Sequence, residues 1–420
     1  MKSYTKYLGK GVVSLERLIG IVGLVVLIFI AYLLSENKKR INWRLVISGM
    51  ILQLIFAILI LKVPAGQKVF IAASDVINSL LEFTKEGTRF LFGDLVNVDK
   101  FGFIFALQVL PTIIFFSALM GILYYLGIMQ FIISIIAKGL AKLLGTSGAE
   151  TTSAVANIFL SQNEAPLVVK PYINKMTRSE LLAIMTGGMA TVAGSVMAGY
   201  VAMGVNAGHL LAASIMAAPA GLVFAKILVP ETEEAVTKNG VDIKSENQSS
   251  GIIEAAAIGA GEGLQIALGV GGMLLAFIAL IALANALLSW VGSFFGAPYI
   301  TINWVFGRLF APIAYVMGVP AVDVVAAGDL LGQKTVLNEF VAYSSLLGLI
   351  KEGSLQPKTI VMLTYALCGF ANFSSIAVQI GSIGAIAPER RGDVAKLGLK
   401  ALVGGALSAF MTATIAGILF

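Results

Sequence analysis

Runs of apolar residues separated by short polar joints occupy most of this chain. A helix needs roughly 20 such residues to cross the ~30 Å hydrocarbon layer of a bilayer. On that measure the pattern predicts spans near 17–35, 43–63, 102–126, 179–205, 208–229, 264–292, 358–387 and 396–419. Residues 64–100 instead mix charged and apolar positions at helical spacing, and 128–145 is a shorter lysine-bearing amphipathic stretch. Both read as helices lying at the membrane surface. A small-residue helix at 251–262 is expected to lead into the span at 264–292, and 295–318 is expected to lie near an interface. The long hydrophilic connection is 230–250, which reads as a mobile loop dividing the chain into halves. The apolar run from Leu18 to Leu34 follows Lys2, Lys6 and Lys10. It is too long for a signal peptide and no small-x-small site follows, so an uncleaved membrane helix is expected.

Two segments break the pattern in the same way. In S-A-V-A-N-I-F-L-S-Q-N-E-A-P-L-V-V-K-P-Y, Ser153 to Tyr172, two apolar arms flank Ser161, Gln162, Asn163 and Glu164. Each arm, as helix, rises roughly 15 Å, half the hydrocarbon thickness. A single pass would bury an amide pair and a carboxylate, so a hairpin that enters and leaves on one side is predicted over 147–173. Residues 320–350 repeat the arrangement around Asn338-Glu339. Each hairpin is followed by a span interrupted by small and polar residues, T-V-A-G-S at 191–195 and C-G-F-A-N-F-S-S at 368–375, and then by an uninterrupted span. That order, repeated once, marks an internal duplication.

Loop charges orient the copies. Lys170, Lys175, Arg178, Arg390, Arg391, Lys396, Lys400 and the run 36–40 all fall on one side, whereas the turn at 206–209 carries no Lys or Arg. By the positive-inside rule the charged side is cytoplasmic. An odd number of spans separates the hairpins, so the second opens outward and the repeat is inverted, as in secondary transporters. The same bookkeeping leaves Lys2, Lys6, Lys10 and Arg17 outside, against the rule.

Composition agrees with this picture. The 420 residues are 58% hydrophobic and 12% charged, too little polar surface for a soluble domain. The net charge of +6 is therefore a matter of loop asymmetry rather than a nucleic-acid footprint. One Cys, Cys368, excludes an intrachain disulfide, and one Cys with one His, His209, argues against a His/Cys metal site. His209, in the turn N-A-G-H, is expected to be solvated or interfacial.

A carboxylate at the bilayer centre costs ~2.5–3.5 kcal/mol on insertion scales, and this chain places two there, Glu164 and Glu339. Capping of the hairpin arms accounts for part of each cluster, since Asn163 or Glu164 precedes a first turn holding Pro166. Four polar side chains in a row exceed what a cap needs, which favours a ligand site. In the first broken helix, Gly187, Gly188, Gly194 and Gly199 weaken a segment that also holds Thr191 and Ser195. Carbonyls freed there, with a hydroxyl and the amide oxygen of Asn157, suit a hard cation such as sodium. The second break offers Asn372, Ser375 and the flat ring of Phe370. Together these groups describe a polar, hydrogen-bonding, uncharged or zwitterionic organic substrate, and a sugar-bearing ring compound fits. Asp329 and Lys334, on the second hairpin, pair with each other or reach the interface, and neither is assigned a role.

At these residues the sequence resembles the concentrative nucleoside transporter family. Q-N-E-A-P-L-V-V-K-P-Y resembles its first hairpin, K-T-V-L-N-E-F-V-A-Y its second, and Y-A-L-C-G-F-A-N-F-S-S its second broken helix; the ending F-M-T-A-T-I-A-G-I-L is also similar. The likeness covers roughly residues 100–420. It implies sodium-driven uptake of nucleosides by a homotrimer with eight membrane spans and two hairpins. Gln162 and Glu164 would bond the base with Val196 nearby; Glu339, Asn372 and Ser375 would bond the ribose; Phe370 would pack beside the nucleoside. Sodium, as the co-transported ion, would sit among Asn157, Thr191 and the carbonyls of Leu160 and Val192. Asn163 stands where Thr is usual and adds a donor beside the base. Ser161 is the residue that the family pattern links with pyrimidines, which favours uridine or a related nucleoside as substrate.

The chain is thus read as an all-α polytopic membrane protein: eight transmembrane helices, two re-entrant helical hairpins and interfacial helices in an inverted repeat. Residues 1–146 supply the first spans and part of a scaffold, and 147–229 the first repeat of a transport domain. Residues 230–319 form a cytoplasmic loop, a scaffold helix and an interfacial segment, and 320–420 the second repeat. It is expected in a bacterial inner membrane and is not expected to be an enzyme. Two other readings remain open. One is a proton-coupled nucleoside symporter using Glu164 or Glu339; the other is a membrane-embedded enzyme using both carboxylates as acid and base.

Overall fold

The structure, a computed structural model, describes residues 15–238, 240–241 and 249–420. Lys2, Lys6 and Lys10 lie outside the described residues, as do 239 and 242–248 of the hydrophilic connection. The described residues are helical and contain no strand. The first half comprises α1 (Leu15–Leu33), α2 (Trp43–Leu61), α3 (Pro64–Phe92), α4 (Val98–Phe101), α5 (Phe105–Gln108), α6 (Leu110–Tyr125) and α7 (Ile128–Leu144). It continues through α8 (Gly148–Ala156), α9 (Lys170–Ile173), α10 (Arg178–Ala190), α11 (Gly194–Met203) and α12 (Ala207–Leu228). The second half comprises α13 (Ile252–Phe294), α14 (Ile302–Val316), α15 (Val324–Val336), α16 (Glu339–Lys351), α17 (Pro357–Leu367), α18 (Phe373–Ile386) and α19 (Arg391–Leu419).

Local sequence accounts for most boundaries. Ser147 with Glu150, and Thr177 with Glu180, form capping boxes at the starts of α8 and α10. Asn206, Asn338 and Asn372 accept from the third amide of α12, α16 and α18. Gly127 and Gly145 bound α7 in the left-handed conformation. Among the described residues, seven segments are long and apolar enough to cross a membrane: α1, α2, α5–α6, α10–α11, α12, α13 and the stretch ending in α19. The broken pair α17–α18 is not among them, because the break at 368–372 separates halves of 11 and 14 residues, whereas α10 and α11 are separated only by 191–193.

Two expectations change. Residues 251–262 and 264–292 are one helix, α13, of 43 residues. At 1.5 Å per residue it is roughly 65 Å long, about twice the hydrocarbon thickness. Two of its glycines, Gly259 and Gly263, are packing positions against α6. A Cβ on Gly259 would meet Ser117 O at 2.5 Å, and one on Gly263 would meet Ser117 Cβ at 2.7 Å. The first helix–turn–helix, where a hairpin of two helical arms is expected, is also asymmetric. After α8 the chain folds back through an irregular tip, a 3-10 segment at Ala165–Val169 and the four residues of α9. Pro166 and Pro171 each remove an amide donor, so the returning arm cannot run as a regular α-helix.

The same element order occurs twice: a span, an amphipathic helix, a helix–turn–helix, a broken helix and a long helix. The first series runs α6 to α12 and the second α13 to α19. The recurrence therefore begins two elements before the hairpins where the sequence pattern placed it. The core lies among α8, α10, α12, α17 and α19, while α1, α2 and α13 leave much of their apolar surface exposed. At one end of this core Glu36 bonds both Lys400 and Arg178. Partial burial pushes the Glu36 carboxyl up, but the bonds from Lys400 and Arg178 outweigh it and hold the group below its ordinary value. Nearby, buried Lys226 pairs with Glu150 at 2.7 Å and Glu231 at 3.1 Å, joining α8, α12 and the start of the hydrophilic connection.

Candidate functional site

Both helix breaks and the first helix–turn–helix tip meet at one place. The Phe370 amide donates to Thr191 O (3.3 Å), and the Gly194 amide donates to Phe159 O (2.9 Å). Gly369 has φ +132°, and a Cβ there would stand 2.8 Å from Ala190 O and 2.9 Å from Met189 O. Only glycine allows the second break to lie against the first.

A continuous chain of buried hydrogen bonds runs through this junction. Glu339 Oε1 accepts from Tyr200 OH (2.9 Å) and Oε2 from Asn372 Nδ2 (3.0 Å). Asn372 Oδ1 accepts from the Ser375 amide (2.9 Å) and from Ser374 Oγ (2.7 Å). Gln162 Nε2 donates to Ser375 Oγ (3.1 Å), and Gln379 Nε2 donates to Gln162 Oε1 (3.1 Å) and Met185 O (2.9 Å). Glu339 is only 4% exposed, yet it is the first residue of α16 and faces the start of α18. Two positive helix ends and two donors therefore offset the cost of burying its charge.

Of the sequence candidates, Gln162, Glu339, Asn372 and Ser375 are joined in that chain. Val196 is buried on α11, and Phe370 lies half-buried in the second break. Glu164 is outside the chain: its Oε2 accepts the Ser161 amide at 2.7 Å and closes the tip backward rather than capping the returning arm. Asn163 is exposed at that tip. Tyr124 of α6 and Glu262 of α13 lie within electrostatic reach of Glu164.

The cation candidates gather on the other side of the first break. Asn157 is 1% exposed; its Nδ2 donates to Ser153 O (2.9 Å), and its Oδ1 is buried without a hydrogen-bond partner. A Cβ on Gly187 would meet Asn157 Nδ2 at 3.3 Å, which puts the amide against the last turns of α10. Thr191 ends α10 and donates its hydroxyl to Gly187 O (3.0 Å). Leu160 and Val192 are buried beside them in the tip and the break. A helix C-terminus carries partial negative charge, so an orphan amide oxygen there is a donor set for a hard cation.

Sequence reasoning missed Tyr200 and Gln379. Each stands one turn after a candidate, Val196 and Ser375, on the same helix face, and that spacing was the available signal. It left open that Lys334 and Asp329 pair with each other, and they do not. Fully buried Lys334 donates to Ala366 O (2.7 Å) at the C-terminal end of α17, where a cation is favoured, and Asp329 accepts from Asn303 and Gln333. Their partners lie on different helices, Ala366 on α17 and Asn303 on α14. His209, half-buried, meets Tyr365 OH at 3.2 Å.

Broken helices that gather amides, hydroxyls and a carboxylate inside an apolar bundle define a membrane transport protein. Three family models match the chain: Na+ dependent nucleoside transporter N-terminus over residues 22–95, nucleoside recognition (Gate) over 106–207, and Na+ dependent nucleoside transporter C-terminus over 209–417. Nucleoside permease NupC of Helicobacter pylori is 44% identical over 411 residues, 96% of this chain and 98% of that protein. An uncharacterized transporter of Haemophilus influenzae is 51% identical over 403 residues, 95% of this chain and 96% of that one. The solved structure of CNTnw in an inward-facing substrate-bound state superposes with a TM-score of 0.92 at 49% identity, covering 96% of this chain and 98% of CNTnw. Variants of CNTnw in outward-facing and intermediate states match with TM-scores of 0.93 and 0.90. The chain belongs to the Na+-dependent nucleoside transporter family. It is a multi-pass plasma-membrane protein that transports nucleosides and is not an enzyme.

Proposed function

We propose that the chain takes nucleosides into the cell with sodium as the co-transported ion, by an elevator-like alternating-access motion. The observation that carries this reading is the junction of the first tip with both helix breaks. It has a buried polar chain on one side and the unpartnered Asn157 oxygen on the other. In this reading Gln162, Asn163 and Glu164 face the base, with Val196 beside it and Phe370 against the ring. Glu339, Asn372 and Ser375 bond the ribose. Sodium sits among Asn157, Thr191 and the carbonyls of Leu160 and Val192. Because these groups share one tip, an ion that orders it raises nucleoside affinity, and nucleoside raises sodium affinity by the same factor.

The moving domain is assigned to 147–229 and 320–420, and the scaffold to α6 and α13, which pack chiefly on each other. The inward-facing, intermediate and outward-facing states of CNTnw support such a motion. Eight spans follow when α17–α18 is counted as one broken crossing, and both helix–turn–helix units are then re-entrant. The exposed apolar surface of α13 supports assembly as a homotrimer, and Ser161 supports a pyrimidine preference.

The test is uridine uptake into proteoliposomes, with an inward sodium gradient and with potassium in its place. Concentrative uptake only with sodium is expected, as is a trimer mass by light scattering of the same sample. Uptake that ignores sodium and follows a pH gradient would replace the cation by a proton and leave the nucleoside site standing.

A further inference from the structure

Asp329 takes no part in the site above, yet it is the centre of a polar relay. Asn303 Nδ2, on α14, donates to both Asp329 oxygens (3.1 and 3.0 Å), and Gln333 Nε2 donates to Oδ2 (3.0 Å). Ser345 Oγ of α16 donates to Gln333 Oε1 (2.7 Å). At the other end Asn285 Nδ2 of α13 donates to Asn303 Oδ1 (3.3 Å), and the Ile302 amide donates to Asn285 Oδ1 (2.8 Å). An ionised carboxylate only accepts, so Asn303 must turn its NH2 toward Asp329 and its oxygen toward Asn285. Every amide orientation along the relay follows from that one constraint. The relay borders a groove of about 270 Å³ whose apolar lining includes Ile278 and Ile281 of α13 and Val341 of α16.

The relay crosses a mechanical boundary. α14 and α15 are pressed together at backbone distance: a Cβ on Gly328 would meet Gly307 O at 2.5 Å, and one on Gly332 would meet Phe306 Cβ at 2.5 Å. They form one rigid pair. α13 packs instead on α6 through Gly259 and Gly263 and touches α14 and α16 sparsely. Asn285 is therefore on the scaffold helix, and Asn303, on the interfacial α14 that lies between the two assigned bodies, is tied to Asp329, Gln333 and Ser345 of the moving one.

We propose that the contacts of Asn285 with Asn303 and Ile302 are the positioning contact that the moving body releases in each transport cycle. Asn303, Asp329, Gln333 and Ser345 then travel as one hydrogen-bonded unit. The proposal rests on the alternating-access reading above and adds where the two bodies part. Polar bonds suit this task at membrane depth, because they are specific to one alignment whereas apolar contacts slide.

The test joins the two bodies at this point with the pair Asn285→Cys and Asn303→Cys. Cross-linking is expected to stop sodium-driven uridine uptake while uridine binding to the purified protein persists, and reductant is expected to restore uptake. Full uptake by protein shown to be cross-linked would overturn the proposal. Asn285→Leu is the second arm, since it keeps the size and removes the bonds. It is expected to change the maximal uptake rate several-fold and leave the uridine Kd unchanged; an unchanged rate would also overturn the proposal. Unmodified protein that takes up no nucleoside would instead defeat the underlying transport reading, so the two failures are distinguishable.

Discussion

Replacing Glu339 with Gln is expected to weaken uridine binding by roughly 10- to 100-fold, the loss of about 1.5–3 kcal/mol that accompanies removal of a charged acceptor. A carboxylate has about four lone-pair positions, and Tyr200 and Asn372 use two of Glu339's. The remaining two match the paired hydroxyls of a ribose. The amide of Glu339→Gln has only one oxygen, which Asn372 Nδ2 claims because it can donate but not accept. The new NH2 then faces Tyr200, whose hydroxyl can turn to accept it. The fold is therefore expected to survive while the ligand loses its charged acceptor. Calorimetric titration with uridine at saturating sodium measures the effect. An unchanged Kd would remove Glu339 from the ribose site.

Asn157→Ala is expected to abolish the response to sodium. A buried unpartnered amide oxygen costs about 1–3 kcal/mol, which a bound cation would offset. In the unmodified protein sodium at 100 times its Kd should stabilise the folded state by ~2.7 kcal/mol, read as a rise in Tm. The alanine variant should melt at the same temperature in sodium and in potassium, and its uridine affinity should no longer depend on sodium. Asn157→Asp keeps the oxygen and should keep the response. A full sodium shift in the alanine variant would place the ion elsewhere.

Much of this molecule is legible in one dimension. Hydrophobic length marks the spans, and the polar turns at 161–164 and 338–339 mark the places where the chain folds back. T-V-A-G-S and C-G-F-A-N-F-S-S mark the breaks, because small and polar residues cannot hold a helix that Thr191 and Asn372 are ready to end and begin. Where the reading failed, competing interactions won. Residues 251–262 and 264–292 read as two elements, but they are one helix, α13, packed closely on α6 at Gly259 and Gly263. Of the two alternatives left for Asp329 and Lys334, a mutual ion pair is not formed, because each found a partner on a different neighbouring helix.

By itself the sequence determined the class of protein, the order of elements, their recurrence and most of the side chains at the junction. These depend on composition, on caps three residues apart and on motifs within a single element. The tertiary structure alone decided which of those side chains meet. Gln162 reaches Ser375 across 213 positions and Gln379 across 217, and Tyr200 reaches Glu339 across 139. No local preference encodes such pairings. They arise because two broken helices cross at Gly369, where the absence of a side chain lets the backbones touch, and the donors on each side are then held within bonding distance.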